Sequence, residues 1–144
     1  MEFHLATPED CQPAAEKILQ TFPETRLFLL EGPPGSGKTT LIQAFMRCLG
    51  VEEPVTSPTF ALAHLYHNSA GKAFAHLDLY RIGSLEEALE AGLAEILEEP
   101  YEKIFIEWPS CVPELFDDKD TVRIFCAYQG FYRRVVVKGT HESS

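Results

Sequence analysis

The run Leu27-Phe28-Leu29-Leu30-Glu31 passes directly into Gly32-Pro33-Pro34-Gly35-Ser36-Gly37-Lys38-Thr39-Thr40, and no other stretch restricts the fold so strongly. Four apolar residues bounded by a turn read as a buried strand. The loop that follows fits G-x-x-x-x-G-K-[ST] at Gly32, Gly37, Lys38 and Thr39. Beyond it, Leu41, Ile42, Ala44, Phe45, Cys48 and Leu49 recur at helical spacing, and Gly50 ends the helix. Strand, glycine loop and helix in this order make an anion nest: the glycines let successive N–H groups turn inward, and the helix adds its positive end. In such a loop Lys38 reaches the β- and γ-phosphates and the Thr39 hydroxyl ligates Mg²⁺.

The rest of the chain reads as one α/β domain, residues 1–144, with a mixed sheet flanked by helices. Met1 to Leu5 forms a short edge strand, and Thr7-Pro8-Glu9-Asp10 starts a helix that Pro13 delays or kinks. Ala61–Tyr66 and Lys72–Tyr80 pair as an antiparallel hairpin around Asn68 to Gly71. Ser84 caps a further helix, with Glu87 completing the box and Leu85, Leu89, Leu93, Ile96 and Leu97 on its apolar face. Its acids, Glu86, Glu87, Glu90, Glu95, Glu98 and Glu99, read as a solvated face, with partner contact as the alternative. Lys103 to Trp108 is another strand, and Thr121–Tyr128 with Tyr132–Lys138 form a hairpin around Gln129-Gly130. The last four residues are a frayed tail.

Three further positions carry chemistry. Glu107 ends an apolar strand downstream of the phosphate loop, which would set a carboxylate beside the Mg²⁺ on Thr39. Asp78 lies near the end of another apolar strand, where it suits a Mg²⁺ shell or the orientation of a water, although single acids at strand ends are common. Thr59, in Thr56-Ser57-Pro58-Thr59-Phe60, is either a turn residue or a switch contact to the γ-phosphate. His76 on its own reads as a structural histidine, and Trp108 as core packing or a cover for the site.

Composition removes several classes of function. With a net charge of −10, a broad nucleic-acid surface is excluded, so any RNA contact is local or made through a partner. The four cysteines stand far apart in the sequence, without metal-ligand spacing, and read as reduced core residues. No apolar run approaches the ~20 residues of a membrane span and the N-terminus lacks a basic signal start, so the expected location is the cytoplasm.

Taken together, Gly32 to Thr40, Ser57-Pro58-Thr59-Phe60, His76-Leu77-Asp78-Leu79-Tyr80-Arg81 and Glu107-Trp108-Pro109 occur in the order and spacing that resemble the TsaE family, bacterial ATPases of tRNA threonylcarbamoyladenosine biosynthesis. The resemblance covers nearly the whole chain. It implies a single-domain P-loop NTPase fold that binds ATP and Mg²⁺. By resemblance, Gly35, Ser36, Gly37, Lys38, Thr39 and Thr40 hold the nucleotide, and Thr39 and Glu107 hold the metal. Asp78 and Thr59 sense or position the γ-phosphate end, Trp108 sits against the nucleotide, and Arg133 contacts it. Lys38, Asp78 and Glu107 would then carry the catalysis. The family works with the TsaB–TsaD heterodimer, so the implied activity is a slow, partner-stimulated ATPase that meets tRNA only indirectly.

The chain departs from the family loop at Pro33-Pro34, which stand where Asp-Leu is usual, and at Ser110, where an acid often follows the Glu-Trp pair. An arginine finger is not fixed by the sequence: Arg81, Arg133, Arg134 or a partner's side chain could serve. Two other readings stay open, a P-loop kinase for a small metabolite and a non-hydrolysing, nucleotide-gated binding module. The sequence has no insertion the size of a kinase lid between the recognised segments.

Overall fold

A computed structural model describes residues 1–55 and 63–140. Its centre is a mixed seven-stranded sheet in the order β1-β7-β6-β2-β5-β4-β3. The strands are β1 (Glu2–Leu5), β2 (Leu27–Glu31), β3 (Ala63–His67), β4 (Ala73–Asp78), β5 (Lys103–Glu107), β6 (Thr121–Gln129) and β7 (Tyr132–Gly139). β2 pairs parallel with both β5 and β6, and β4 pairs parallel with β5. The flanking strands β3, β7 and β1 run antiparallel to their neighbours. The fold is thus the α/β class expected, with β1 at an edge and both hairpins in place.

Burial explains the position of β2. Leu27 to Leu30 are all buried, as in a parallel strand covered on both faces. On one face, α1 (Cys11–Thr21) and α2 (Lys38–Cys48) pack against Phe28, Leu30, Phe74 and Phe105. Phe28, Phe45 and Phe105 form the centre of this layer, with ring centroids 5.0–5.7 Å apart. On the other face, Leu29, Leu77, Ile104 and Ile106 meet Leu93, Leu97, Val112 and Phe116.

Pro13 does not kink α1. It is the third residue of the helix, where a backbone N–H has no intrahelical acceptor to lose. A 3₁₀ turn, Pro8–Asp10, precedes it, and the Asp10 carboxylate accepts the N–H groups of Ala6 and Thr7.

The helix expected from Ser84 is in fact two, α3 (Leu85–Glu90) and α4 (Leu93–Glu98). Gly92 separates them in the left-handed conformation, φ 86°. The start is as expected, since Ser84 Oγ accepts the Glu87 N–H at 3.1 Å, but the Glu87 carboxylate reaches back to the Gly83 N–H. The break re-aims the apolar face: Ala88, Leu93 and Leu97 are buried, whereas Leu89 is 47% exposed. Among the described residues no helix is long and apolar enough to cross a membrane.

Candidate functional site

Alternation along the parallel strands assembles the site. Phe105 packs on the α1–α2 face, so Glu107, two residues on, points the same way; Phe74 fixes the same face for His76 and Asp78. The register sets Asp78 beside Glu107 and His76 beside Phe105. These acids therefore lie at the carboxyl ends of β4 and β5, next to the loop that leaves the carboxyl end of β2. That is where open α/β sheets bind ligands.

The loop is held by close backbone contact. Gly32 has φ 147°, and a Cβ there would lie 2.2 Å from the Cys126 carbonyl oxygen on β6. A 3.1 Å bond from the Ser36 N–H to the Pro33 carbonyl closes the turn. α2 begins at Lys38, so its first-turn N–H groups have no intrahelical acceptors and face the loop. The Lys38 ammonium donates to the Gly32 carbonyl and lies 3.7 Å from the centre of the Trp108 ring. Burial pushes its pKa down, against the pull of Glu107 and Glu31.

Glu107 is 4% exposed and sits between two donors. Thr39 Oγ1 lies 3.3 Å from Glu107 Oε2, and His76 Nε2 lies 2.6 Å from the same oxygen. Burial raises the Asp78 pKa, with Glu107 adding to the rise, while the Tyr80 N–H opposes it by donating to Oδ1 at 2.9 Å. Trp108 follows Glu107 in the left-handed region, φ 60°, unusual for a bulky residue. Its ring lies against Tyr80, 4.9 Å between centroids. The next turn is braced by Glu31, whose carboxylate accepts the Ser110 N–H at 2.6 Å.

Arg133 reaches the loop from β7, and a Cβ on Gly37 would lie 2.8 Å from its Nη1. The guanidinium also donates to the Tyr128 hydroxyl at 3.2 Å. Together Pro34, Gly35, Gly37, Lys38, Thr39, Thr40, Glu107, Trp108 and Arg133 line an open cleft of about 300 Å³. Ser36 lies under the loop, 1% exposed. Asp78 does not line the cleft but flanks it through Glu107. Thr59 and the segment around it lie outside the described residues. Arg134 points elsewhere, its guanidinium 2.9 Å from Glu2 at the sheet edge.

The cleft suits a phosphate chain and a divalent cation. The Ser36 hydroxyl is a buried group without a hydrogen-bond partner among the described residues. A Thr39 hydroxyl that gives its proton to Glu107 presents an oxygen of the kind that hard cations take.

The family model for the threonylcarbamoyl adenosine biosynthesis protein TsaE matches residues 5–136. The chain belongs to the TsaE family. It is 34% identical over 131 residues to the TsaE of Aquifex aeolicus, covering 86% of this chain and 95% of that one. It is also 34% identical over 117 residues to the TsaE of a Synechocystis strain, with 80% and 74% covered. Against the TsaE of Borreliella burgdorferi the identity is 41% over 95 residues, 66% and 68% of the two chains. All three carry the name tRNA threonylcarbamoyladenosine biosynthesis protein. The crystal structure of Bacillus subtilis YdiB superposes with a TM-score of 0.71 over 96% of this chain and 84% of that one, at 22% identity, and bears out the fold.

In this chain, sequence reasoning missed the bond between His76 and Glu107, the Glu31 brace and the Tyr80–Trp108 contact. The first had a signal available: His76 and Glu107 end up on one face by the period of two, once β4 and β5 are taken as parallel neighbours.

Proposed function

We propose that this protein is a slow, Mg²⁺-dependent ATPase that supports tRNA threonylcarbamoyladenosine modification by acting on a TsaB–TsaD heterodimer in the cytoplasm. The observation that carries this reading is the convergence of Lys38, the hydrogen-bonded pair Thr39–Glu107, and Asp78 at the carboxyl ends of three parallel strands. Mg²⁺, when bound, draws charge from the phosphate oxygens and stabilises the leaving group. Thr39 and Glu107 are the residues that would hold it.

The remaining work falls to the chain's own groups. Gly35 to Thr40 supply N–H groups. Lys38 exchanges its Gly32 carbonyl and the Trp108 face for phosphate oxygen, which its three N–H donors permit. Asp78, carboxyl pKa raised, orients the attacking water beside Glu107. Trp108 and Tyr80 cover that end of the cleft and limit bulk water.

Polarity along the cleft supports one direction for the nucleotide. The acids of β4 and β5 mark the γ-phosphate end, so the nucleoside extends toward β6 and β7. There a second depression, lined by Leu5, Thr7, Pro8, Tyr128, Phe131 and Arg133 among others, shares Arg133 with the phosphate cleft and offers aromatic surface for a purine. The cleft itself is lined by two cations, Lys38 and Arg133, and Arg133 lies at Gly37, on the nucleoside side. The isolated chain thus relies on Lys38 for charge stabilisation at the γ-phosphate, and hydrolysis is slow until a partner contributes.

Glu107→Gln tests the hydrolytic step against a nucleotide-gated binding role. The ATPase reading expects a variant that binds ATP, hydrolyses it poorly and fails to sustain repeated tRNA modification in a reconstituted system. Normal modification by a variant that does not hydrolyse ATP would contradict it.

A further inference from the structure

His76 is the one buried histidine in the described chain, 0% exposed, and it lies among Phe74, Ala75 and Leu77 on β4. Packing alone asks only for an apolar side chain there. Nε2 makes a 2.6 Å hydrogen bond to Glu107 Oε2, while Nδ1 is buried without a partner among the described residues. A carboxylate oxygen only accepts, so Nε2 is the donor in this contact. An unpartnered buried nitrogen is a cost that a methionine or leucine would avoid. Among the described residues the ring's one polar contact is thus with the carboxylate.

Geometry gives that contact a purpose. Glu107 is the last residue of β5 and lines the cleft. Oε2 is held from two sides, by His76 on β4 and by Thr39 at the start of α2. The Thr39 bond, at 3.3 Å, is long; the His76 bond is short and comes from a fully buried ring in the middle of a strand paired on both sides.

We propose that His76 is a positioning residue: through its Nε2–H it fixes the Glu107 carboxylate in the orientation that receives the nucleotide-bound divalent cation. This rests on the Mg²⁺-dependent reading of the site. Outer partners of metal-binding groups typically contribute 10–100-fold in metal affinity, about the size of effect expected here.

The experiment uses the full chain as wild type, His76→Gln and His76→Met. Gln carries an N–H near the place of Nε2, and Met carries none. Mn²⁺ binding in the presence of a non-hydrolysable ATP analogue is read by electron paramagnetic resonance, and thermal unfolding is followed without ligand. The proposal expects His76→Met to weaken Mn²⁺ binding about 10–100-fold, with a melting temperature close to wild type, and His76→Gln to recover most of the affinity. Wild-type Mn²⁺ affinity in His76→Met overturns it. So does a loss in both variants that follows their loss of thermal stability, which is the behaviour of a structural histidine. A wild-type protein that binds the analogue without binding Mn²⁺ instead refutes the metal-dependent reading on which the proposal stands. Nitrogen-15 NMR of the ligand-free wild type gives an independent check: the proton is expected on Nε2, and a proton on Nδ1 alone refutes the bond to Glu107.

Discussion

Replacing Gly32 by alanine tests the placement of the phosphate loop against the sheet. Two costs add. First, φ is 147°, a region L-residues rarely adopt, and holding a residue there costs about 1–3 kcal/mol. Second, the new Cβ would lie 2.2 Å from the Cys126 carbonyl oxygen, where ordinary contact begins at 3.4 Å. The obstacle is backbone of β6, paired in register with β2, so the loop must lift by more than an ångström; such overpacking costs about 1–3 kcal/mol. The sum, about 2–6 kcal/mol, is a large part of the 5–15 kcal/mol that stabilises a typical domain. Gly35→Ala is the control, because its φ is 77° and nothing lies within 4 Å of its Cβ. That change carries only the backbone term, about 1–2 kcal/mol. Urea unfolding of both variants and wild type, without ligand, gives the comparison. Gly32→Ala should be clearly the less stable, and should also bind ATP more weakly, since lifting the loop displaces the N–H groups that would meet the phosphates. A Gly32→Ala variant no less stable than Gly35→Ala would refute the close approach of the loop to β6.

Three other outcomes follow from the same geometry. Because burial raises the Asp78 pKa, its contribution to stability is present below the unfolded value, near 3.9, and is lost as pH rises through the folded one. Asp78→Asn should therefore raise the melting temperature at neutral pH, with the gap to wild type closing as pH falls toward about 4; calorimetry across that range checks it. Arg133→Ala should weaken ATP binding about 10–100-fold, the worth of one hydrogen bond to a charged group. Arg134→Ala, whose guanidinium is engaged with Glu2, should change ATP binding little by titration calorimetry. Trp108 is the sole tryptophan, with the Lys38 ammonium 3.7 Å from its ring centre, so ATP should change its fluorescence, and Lys38→Ala should already differ from wild type before ATP is added. Fluorescence that ATP leaves unchanged would contradict a ring facing the phosphate cleft.

The parts of the fold legible in the sequence are those set by local pattern. The four-residue apolar run of β2, the glycine loop and the 3.6 period of α2 follow from neighbouring residues, and so do both hairpins, where Asn68 Oδ1 caps its own turn and Gly130 takes φ 67°. The break between α3 and α4 was less legible, because one glycine in a helical pattern is commonly tolerated, and here Gly92 turned left-handed and exposed Leu89. Strand order is a long-range matter. That Phe74 to Asp78 and Lys103 to Glu107 are parallel neighbours cannot be read from either segment alone, and the His76–Glu107 bond depends on it. Arg133 entered as a nucleotide contact by resemblance, since its place over Gly37 depends on β7 returning beside β6. The backbone of Trp108 had no sequence signal, because its left-handed turn is imposed by tertiary contacts, among them the Ser110 N–H held by Glu31.

On the proposed reading, this cleft hydrolyses ATP in response to a partner. The direct measurement is phosphate release by the purified chain, alone and with a TsaB–TsaD heterodimer, alongside Lys38→Ala. Slow release by the chain alone, acceleration by the heterodimer, and loss of both in the variant are expected. ATP binding without hydrolysis and without stimulation would contradict that reading.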